Sequence, residues 1–119
     1  MSGRQGAYLY GLEAEWLAAV YLRCKGYRIL ARRFKAAGGE IDLIARRGGA
    51  LVFVEVKARA GLDEARVTIS ADKRRRLAQA ARAYLGRLDK LPRSIRIDAV
   101  FVAPNALPRH ELAIAPLEF

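Results

Sequence analysis

The sequence has one cysteine, one histidine and no long apolar run, and each scarcity excludes a class of protein or site. Cys24 has no second cysteine, so neither an internal disulfide nor a cysteine-rich zinc cluster can form within the chain. No apolar stretch approaches the roughly 20 residues that cross a bilayer, and the N-terminus lacks the apolar segment of a secretory signal. We therefore predict a cytoplasmic protein with no membrane partner, organised as a single domain over residues 1–119.

Acidic residues are also scarce relative to basic ones, with 12 against 22, which gives a net charge of +10 and a pI near 10.5. A surplus of this size in a small domain attracts polyanions and speeds their encounter. The charge does not by itself distinguish DNA from RNA or from an acidic membrane. Because the basic residues are spread along the chain, a disordered basic arm is not favoured, and we expect anionic partners for the folded domain.

The stretch from Gly39 to Lys57 is typical of an antiparallel β-hairpin, because two alternating apolar runs flank a basic turn at residues 46–49. On the second strand Glu55 and Lys57 fall on one face, and the valines that flank them fall on the other. Those valines indicate a central strand. Charged residues on a central strand need a stronger reason than charges on an edge strand.

The first strand of the hairpin carries a further acid, Asp42. Alternation places Asp42 on one face with Glu40 and Ile44, and places Ile41 and Leu43 on the other. If the register sets Asp42 beside the glutamate of the second strand, their Cβ atoms lie about 5 Å apart. Two carboxylates that close repel each other, and a divalent cation held between them removes the conflict.

Asp42, Glu55 and Lys57 together have the chemistry of a phosphodiester hydrolase. Carboxylate oxygens suit Mg²⁺, which also takes waters and substrate phosphate oxygens, and we predict Mg²⁺ or Mn²⁺ as the cofactor. Such an ion polarises a phosphodiester and lowers the pKa of an attacking water. Lys57 would stabilise charge on the phosphate, or help to orient or deprotonate the water. The alternative from these residues alone is a solvated sheet face that binds no metal.

The two strand motifs, Gly-Glu-Ile-Asp-Leu-Ile and Val-Phe-Val-Glu-Val-Lys, resemble the signature of the YraN family. These are small bacterial proteins similar to archaeal Holliday junction resolvases. The resemblance extends in order from about Gly11 to Phe101. It implies a restriction-endonuclease-like fold, whose site has an aspartate, a spacer and Glu-x-Lys, and these match Asp42, Glu55 and Lys57.

The resemblance also implies a role for Glu15, which lies on a helix predicted over residues 7–25. In the family a helical Gly-x-x-small-Glu precedes the hairpin, and Glu15 matches its acid. We therefore predict that Glu15 acts at the metal with Asp42 and Glu55. From the residues alone, a solvated charge on the flank of the helix is the favoured interpretation of Glu15, and only the resemblance reverses that preference. Glu13 is a weaker contender for the same role.

A second helix is predicted from about Ser70 to Leu88, and its first turns carry four consecutive cations: Lys73, Arg74, Arg75 and Arg76. With no acid between them, these residues predict a nucleic-acid-binding face that contacts phosphates. The alternative is an ordinary solvated helix surface. The resemblance favours Lys73 and Arg76, and Arg33, before the loop that leads into the hairpin, is a further candidate phosphate contact.

Two more strands are predicted, over residues 27–34 and 95–102, and a short edge strand over residues 111–116. The order αβββαβ with this last strand predicts an α/β protein with a mixed central sheet flanked by helices, which agrees with the restriction-endonuclease-like fold. We interpret Asp98 as a structural charge paired with Arg96, and His110 as a surface residue.

These features predict a metal-dependent endonuclease that hydrolyses DNA phosphodiesters, in branched or otherwise non-duplex DNA. Selection by shape is favoured because no base-reading motif is present. The first alternative is a nucleic-acid-binding protein that keeps the fold without cutting. The second is a Mg²⁺-dependent enzyme of RNA or nucleotide processing. A symmetric junction as substrate would favour a homodimer, and the sequence leaves the oligomeric state open.

Overall fold

A computed structural model describes residues 3–58 and 70–115, with side chains from residue 13 onward. The elements in this part of the chain are α1 (Gly3–Cys24), β1 (Arg28–Ala36), β2 (Gly39–Arg47), β3 (Ala50–Ala58), α2 (Ala71–Leu85), β4 (Ser94–Val102) and β5 (Arg109–Ala115). The predicted order is confirmed, including the last short strand. Residues 60–70 have little periodicity in sequence, which predicts a loop, and they fall almost wholly outside the described residues. Neither described helix combines the length and the apolar character that crossing a membrane requires.

The five strands form one mixed sheet in the order β1-β2-β3-β4-β5. Neighbouring strands are antiparallel except β3 and β4, which are parallel. A parallel pair needs a long connection that returns to the same end of the sheet, and α2 lies in that connection. The strand that carries Glu55 and Lys57 is therefore hydrogen-bonded on both sides, as its valines predict.

The two helices cover opposite faces of the sheet. Small and aliphatic residues of α1 pack on β2, β3 and β4, in a cluster that includes Ala14, Ala18, Leu22, Leu43, Val52, Val54 and Val100. On the other face α2 packs through a cluster that includes Leu77, Ala80, Ala81, Ile44, Phe53 and Ile97. Glu55 is two residues after Phe53 on the same strand and so points to the same face of the sheet. The predicted site therefore lies on the face that α2 covers.

The turn between β1 and β2 brings the sheet close to α2. Ala36 pairs with Gly39 across the two-residue loop Ala37-Gly38, whose φ angles of 53° and 80° suit a tight hairpin. Gly39 serves another purpose, since a Cβ there would lie 1.9 Å from the carbonyl oxygen of Arg76. The absence of a side chain at Gly39 thus allows the start of β2 to lie against the backbone of α2.

A buried polar network attaches β5 to the sheet. The fully buried Asp98 accepts hydrogen bonds from Arg96 Nε at 3.0 Å and from the Ala113 backbone N–H at 2.9 Å, and lies 2.7 Å from His110 Nε2. Burial opposes ionisation of Asp98, but the bonds from His110, Arg96 and Ala113 outweigh it and lower the pKa of the carboxyl. The predicted pairing of Asp98 with Arg96 is confirmed.

The prediction that His110 is a surface residue is wrong. Its side chain is 1% exposed, with Nε2 on Asp98 and Nδ1 2.6 Å from the Lys25 ammonium. The imidazole is buried because two elements distant in the chain supply a polar partner for each ring nitrogen. A buried ring with both nitrogens bonded stabilises the edge strand rather than forming a separate site.

Asp98→Ala should lower the free energy of unfolding by about 3 kcal/mol or more, because it leaves the partly buried Arg96 and the buried His110 without their shared partner. Urea denaturation at pH 7 measures this loss. Since the pKa of Asp98 is lowered in the folded protein, the wild-type advantage should shrink as the pH falls below about 4. The matched control is Asp72→Ala, which removes a carboxylate paired with two exposed arginines and should cost under about 1 kcal/mol. Equal losses in the two variants would contradict the network's role.

Candidate active site

Asp42 and Glu55 converge where β2 and β3 stop pairing. The last paired residues are Leu43 and Val54, and the same register continued by one residue sets Asp42 opposite Glu55. There the Asp42 carboxylate accepts a hydrogen bond from the backbone N–H of Val56, with Oδ2 2.8 Å from the nitrogen. A side chain thus takes the place of a main-chain partner and holds the two strands together beside Glu55.

The predicted alternation of β2 is wrong next to Asp42. Leu43 packs in the core under α1, whereas both Ile41 and Ile44 pack in the core under α2. Residues three apart share a face only if the pleat is broken between them. On β1, Arg33 lies between the two residues that pair with the chain neighbours of Asp42, and the φ angle of Arg33 is 51°. An irregularity in the sheet therefore lies at the aspartate, where such irregularities commonly redirect a side chain.

Glu55 is 4% exposed, and two ammonium groups lie on one of its oxygens. Lys57 Nζ is 3.3 Å from Glu55 Oε1, and Lys73 Nζ, from the first turn of α2, contacts the same oxygen. Burial and the neighbouring Lys73 lower the pKa of Lys57. Burial is the largest single influence on Lys73 and opposes its charged form, but the contacts with Glu55 and Lys57 and the charges of Glu55 and Asp42 together outweigh it and raise the pKa of Lys73.

The carboxyl group of Asp42 has a strongly raised pKa. Burial raises the pKa of Asp42 from 3.8 to about 7, and the charge of Glu55 adds to the increase. The Val56 N–H and the Lys73 ammonium act in the opposite direction but are weaker. Near neutral pH this carboxyl therefore exchanges between its acid and its carboxylate, and a bound cation would favour the carboxylate.

Glu15 lies beside these residues but binds arginines. Arg33 Nε donates to Glu15 Oε2 at 3.1 Å, and Arg32 Nε lies 3.7 Å from Oε1. The charge of Glu15 makes a small contribution to the raised pKa of Asp42, so the two acids lie within electrostatic reach. The structure thus brings Asp42, Glu55 and Lys57 together, and holds Glu15 with the predicted phosphate ligand Arg33.

A cleft of about 690 Å³ lies between the β1–β2 turn, strands β2 and β3, and the start of α2. Asp42 and Glu55 line it, and so do Glu40 and three cations, Lys35, Lys73 and Arg76. Two of the four cations predicted on α2 thus face the cleft. Arg74 and Arg75 are exposed outside its lining, and Arg75 pairs with Asp72.

One part of this site, the close approach of α2 to the start of β2, was not predicted from the sequence. Gly39 brings α2 close enough for Lys73 to contact Glu55, and the signal was a second glycine directly after the Ala37-Gly38 turn, at a position where φ is not positive. Lys35 lines the cleft because it lies directly before that turn. Such a cleft-lining residue can be predicted from the sequence, because it is charged and lies beside a tight turn that leads into the strand with the predicted ligands.

The donor pair Asp42 and Glu55 fits a magnesium-like ion. Across the part of the chain that the structure describes, no three Asp, Glu, His or Cys side chains gather into a metal-binding group. Mg²⁺ commonly takes only one or two protein carboxylates and completes its shell with waters and phosphate oxygens. A pair in which one acid raises the pKa of the other is a place where a divalent cation is electrostatically favourable.

Residues 14–102 match the family described as "Uncharacterised protein family UPF0102". The chain belongs to family UPF0102. This confirms the family that the strand motifs predict under the name YraN. The matched span includes both carboxylates, both lysines of the cluster and Glu15.

Relatives from several bacteria show how far the UPF0102 similarity extends. A UPF0102 protein of Methylorubrum extorquens is 57% identical over 108 residues, which cover 90% of this chain and 84% of the relative. One of Methylobacterium nodulans is 53% identical over 116 residues, covering 97% and 90%. One of a Bradyrhizobium species is 50% identical over 111 residues, covering 92% and 79%. These names state a family and no activity.

Asp42→Asn should remove a pH-dependent loss of stability. In the wild type the folded Asp42 binds its proton more tightly than the unfolded residue, so the free energy of unfolding should fall as the pH rises from about 4 to about 7. Asparagine stays neutral and still offers an oxygen to the Val56 N–H. The variant should therefore exceed the wild type above pH 7, by at most about 4 kcal/mol, and approach it near pH 4.

Urea unfolding across this pH range, with EDTA present, measures the difference. Glu40→Gln, which removes one exposed carboxylate from the same strand, is the matched control and should follow the wild-type profile. Parallel profiles for Asp42→Asn and the wild type would show that Asp42 is not the group responsible.

Proposed function

We propose that this chain is a metal-dependent endonuclease that hydrolyses DNA phosphodiesters, acting on branched or otherwise non-duplex DNA. The observation that supports this most is that Asp42 and Glu55 line one cleft at the cationic start of α2, while Lys57 contacts Glu55 with its ammonium. Burying two acids side by side costs stability, and the cost is understandable if the pair binds a cation.

Each residue of the cluster has a role that its surroundings support. When bound, a Mg²⁺ or Mn²⁺ ion would polarise the phosphodiester and lower the pKa of a water. Asp42 and Glu55 supply the oxygen donors. Because the pKa of Lys57 is lowered, its amine reaches the neutral form at a lower pH than a free lysine, which suits a group that orients or deprotonates the attacking water. We propose that Glu15 adjusts the electrostatics of Asp42 from outside the cleft.

The cations around the cleft support a nucleic-acid substrate. Lys35, Lys73 and Arg76 line it, and α2 begins there with Ser70 accepting a hydrogen bond from the Lys73 N–H at 3.1 Å. The positive end of the helix adds to the field of these side chains. Such groups contact phosphates and carry no base preference, so selection by nucleic-acid shape follows. A symmetric junction would favour two copies of the chain.

A second candidate is a nucleic-acid-binding protein that does not cut. Its specific support is that Lys57 and Lys73 already neutralise Glu55, while Glu15 is held by arginines. A cluster satisfied in this way is stable without a metal. This candidate predicts salt-sensitive binding with unchanged phosphodiesters.

Cleavage assays with matched variants separate these candidates. Purified protein with Mg²⁺ or Mn²⁺ should cut at least one of nicked, forked, four-way or single-stranded DNA, and EDTA should abolish the cutting. Asp42→Asn and Lys57→Met should each reduce the rate about 100-fold or more, since they remove a metal ligand and a proton-transfer group, while binding persists. Asp89→Asn, which removes an exposed carboxylate between α2 and β4, is the control and should cut normally.

The outcomes point to different functions. Binding without cutting, in either metal and on every substrate, would reject the nuclease and support the binding protein. Cutting confined to an RNA of the same sequence would support the RNA-processing alternative instead.

Arg76→Ala should weaken DNA binding and reduce the slope of log affinity against log salt by about one, because Arg76 lines the cleft and would contact a phosphate. Arg74→Ala removes the same charge from the same helix on an exposed position outside the cleft lining, and should change the slope much less. Fluorescence anisotropy of a labelled oligonucleotide at several salt concentrations measures both slopes. Equal changes would indicate diffuse attraction to the whole surface rather than contact at the cleft.

A further inference from the structure

We propose that Lys73 is an exchangeable counter-ion of Glu55, which leaves the carboxylate for a nucleic-acid phosphate when a divalent cation binds. The inference rests on the proposed function and adds a regulatory link to it. The cation and the nucleic acid would bind cooperatively, because the departure of Lys73 frees Glu55 for the cation and supplies an ammonium group to a phosphate.

The charge around Glu55 allows one lysine to leave. A single carboxylate oxygen, Oε1, contacts the ammonium groups of both Lys57 and Lys73. Two positive charges on one negative group repel each other at this distance. If one ammonium moves away, Glu55 still has a partner, so the exchange does not leave a buried carboxylate unpaired.

Lys73 is the lysine placed to move. Its side chain is 39% exposed and lines the cleft, whereas that of Lys57 is 14% exposed and comes from the same strand as Glu55. Lys73 also reaches Glu55 from another element, α2, through a flexible four-carbon stem. A rotation of this stem would carry the ammonium from the base of the cleft towards its opening without moving the backbone.

A divalent cation competes with the Lys73 ammonium for the same oxygen. The two cations cannot both sit against Glu55 Oε1 without strong repulsion in this partly buried place. A phosphate in the cleft gives the displaced ammonium a charge-assisted partner of its own. Because coupling between two ligands is reciprocal, nucleic acid should raise the affinity for the cation by the factor by which the cation raises the affinity for nucleic acid.

Metal binding by the whole chain, without any cleavage readout, tests this inference. Mn²⁺ is the probe, and electron paramagnetic resonance of the free ion gives its affinity at pH 8 in the absence of nucleic acid. Lys73→Met should bind Mn²⁺ about tenfold or more tightly than the wild type, because the competing ammonium is gone. Arg74→Met, which removes one positive charge at the next position, should stay within about twofold of the wild type.

The second measurement adds a saturating four-way DNA junction, with the Mn²⁺ bound by protein-free junction subtracted. Affinity for Mn²⁺ should rise in the wild type and in Arg74→Met, and should rise clearly less in Lys73→Met. Circular dichroism checks that each variant is folded, and Lys73→Gln should repeat the behaviour of Lys73→Met.

Three results would overturn the inference in distinguishable ways. If Lys73→Met binds Mn²⁺ no tighter than the wild type, Lys73 does not compete with the cation. If the junction raises Mn²⁺ affinity equally in every variant, Lys73 does not couple the two ligands. If no variant and no wild-type protein binds Mn²⁺, the proposed metal site fails as well, and the inference falls with it.

Discussion

A carboxylate buried in a sheet must have a cationic or hydrogen-bonding partner, and this requirement organises both faces of the molecule. Asp98 and Glu55 lie on the adjacent parallel strands β4 and β3, and their parity places them on opposite faces. Asp98 is enclosed by Arg96, His110 and a backbone N–H, so its charge is permanently satisfied. Glu55 is satisfied by two lysines, and it lines an open cleft where other cations can reach it.

The surroundings of Asp98 lower its pKa, whereas the surroundings of Asp42, beside Glu55, raise its pKa. This difference distinguishes a structural charge from a candidate functional one. Fixed donors lower the pKa of Asp98 in spite of its burial. Burial and the charge of Glu55 raise the pKa of Asp42, and only one backbone N–H and a lysine oppose the increase. Placing the two acids together makes the folded state less stable near neutral pH, and the hydrogen bond from the Val56 N–H to Asp42 reduces this cost without cancelling it. The position of this costly pair in the lining of an open cleft supports the proposal that it has a chemical role.

The position of α2 completes the cleft, and it follows from a contact between two backbones. Because Gly39 has no side chain, the start of β2 lies against the carbonyl of Arg76, and the first turn of the helix faces the end of β3. Lys73 then reaches the buried glutamate, and Arg76 borders the same space. The cationic run would be an ordinary helix surface if a larger residue at Gly39 pushed α2 away from the sheet.

The sequence by itself determined the family, the order of helices and strands, and the shared face of Glu55 and Lys57. Strand alternation, helix caps and tight turns depend on residues close together in the chain, so they can be recognised in a short stretch of sequence. Only the tertiary structure decided that Lys73 binds Glu55, that Glu15 is held by arginines, and that His110 is buried. These contacts join residues from 12 to 85 positions apart. They depend on how α2 and β5 dock on the sheet and on one break in its pleat, which no local pattern encodes.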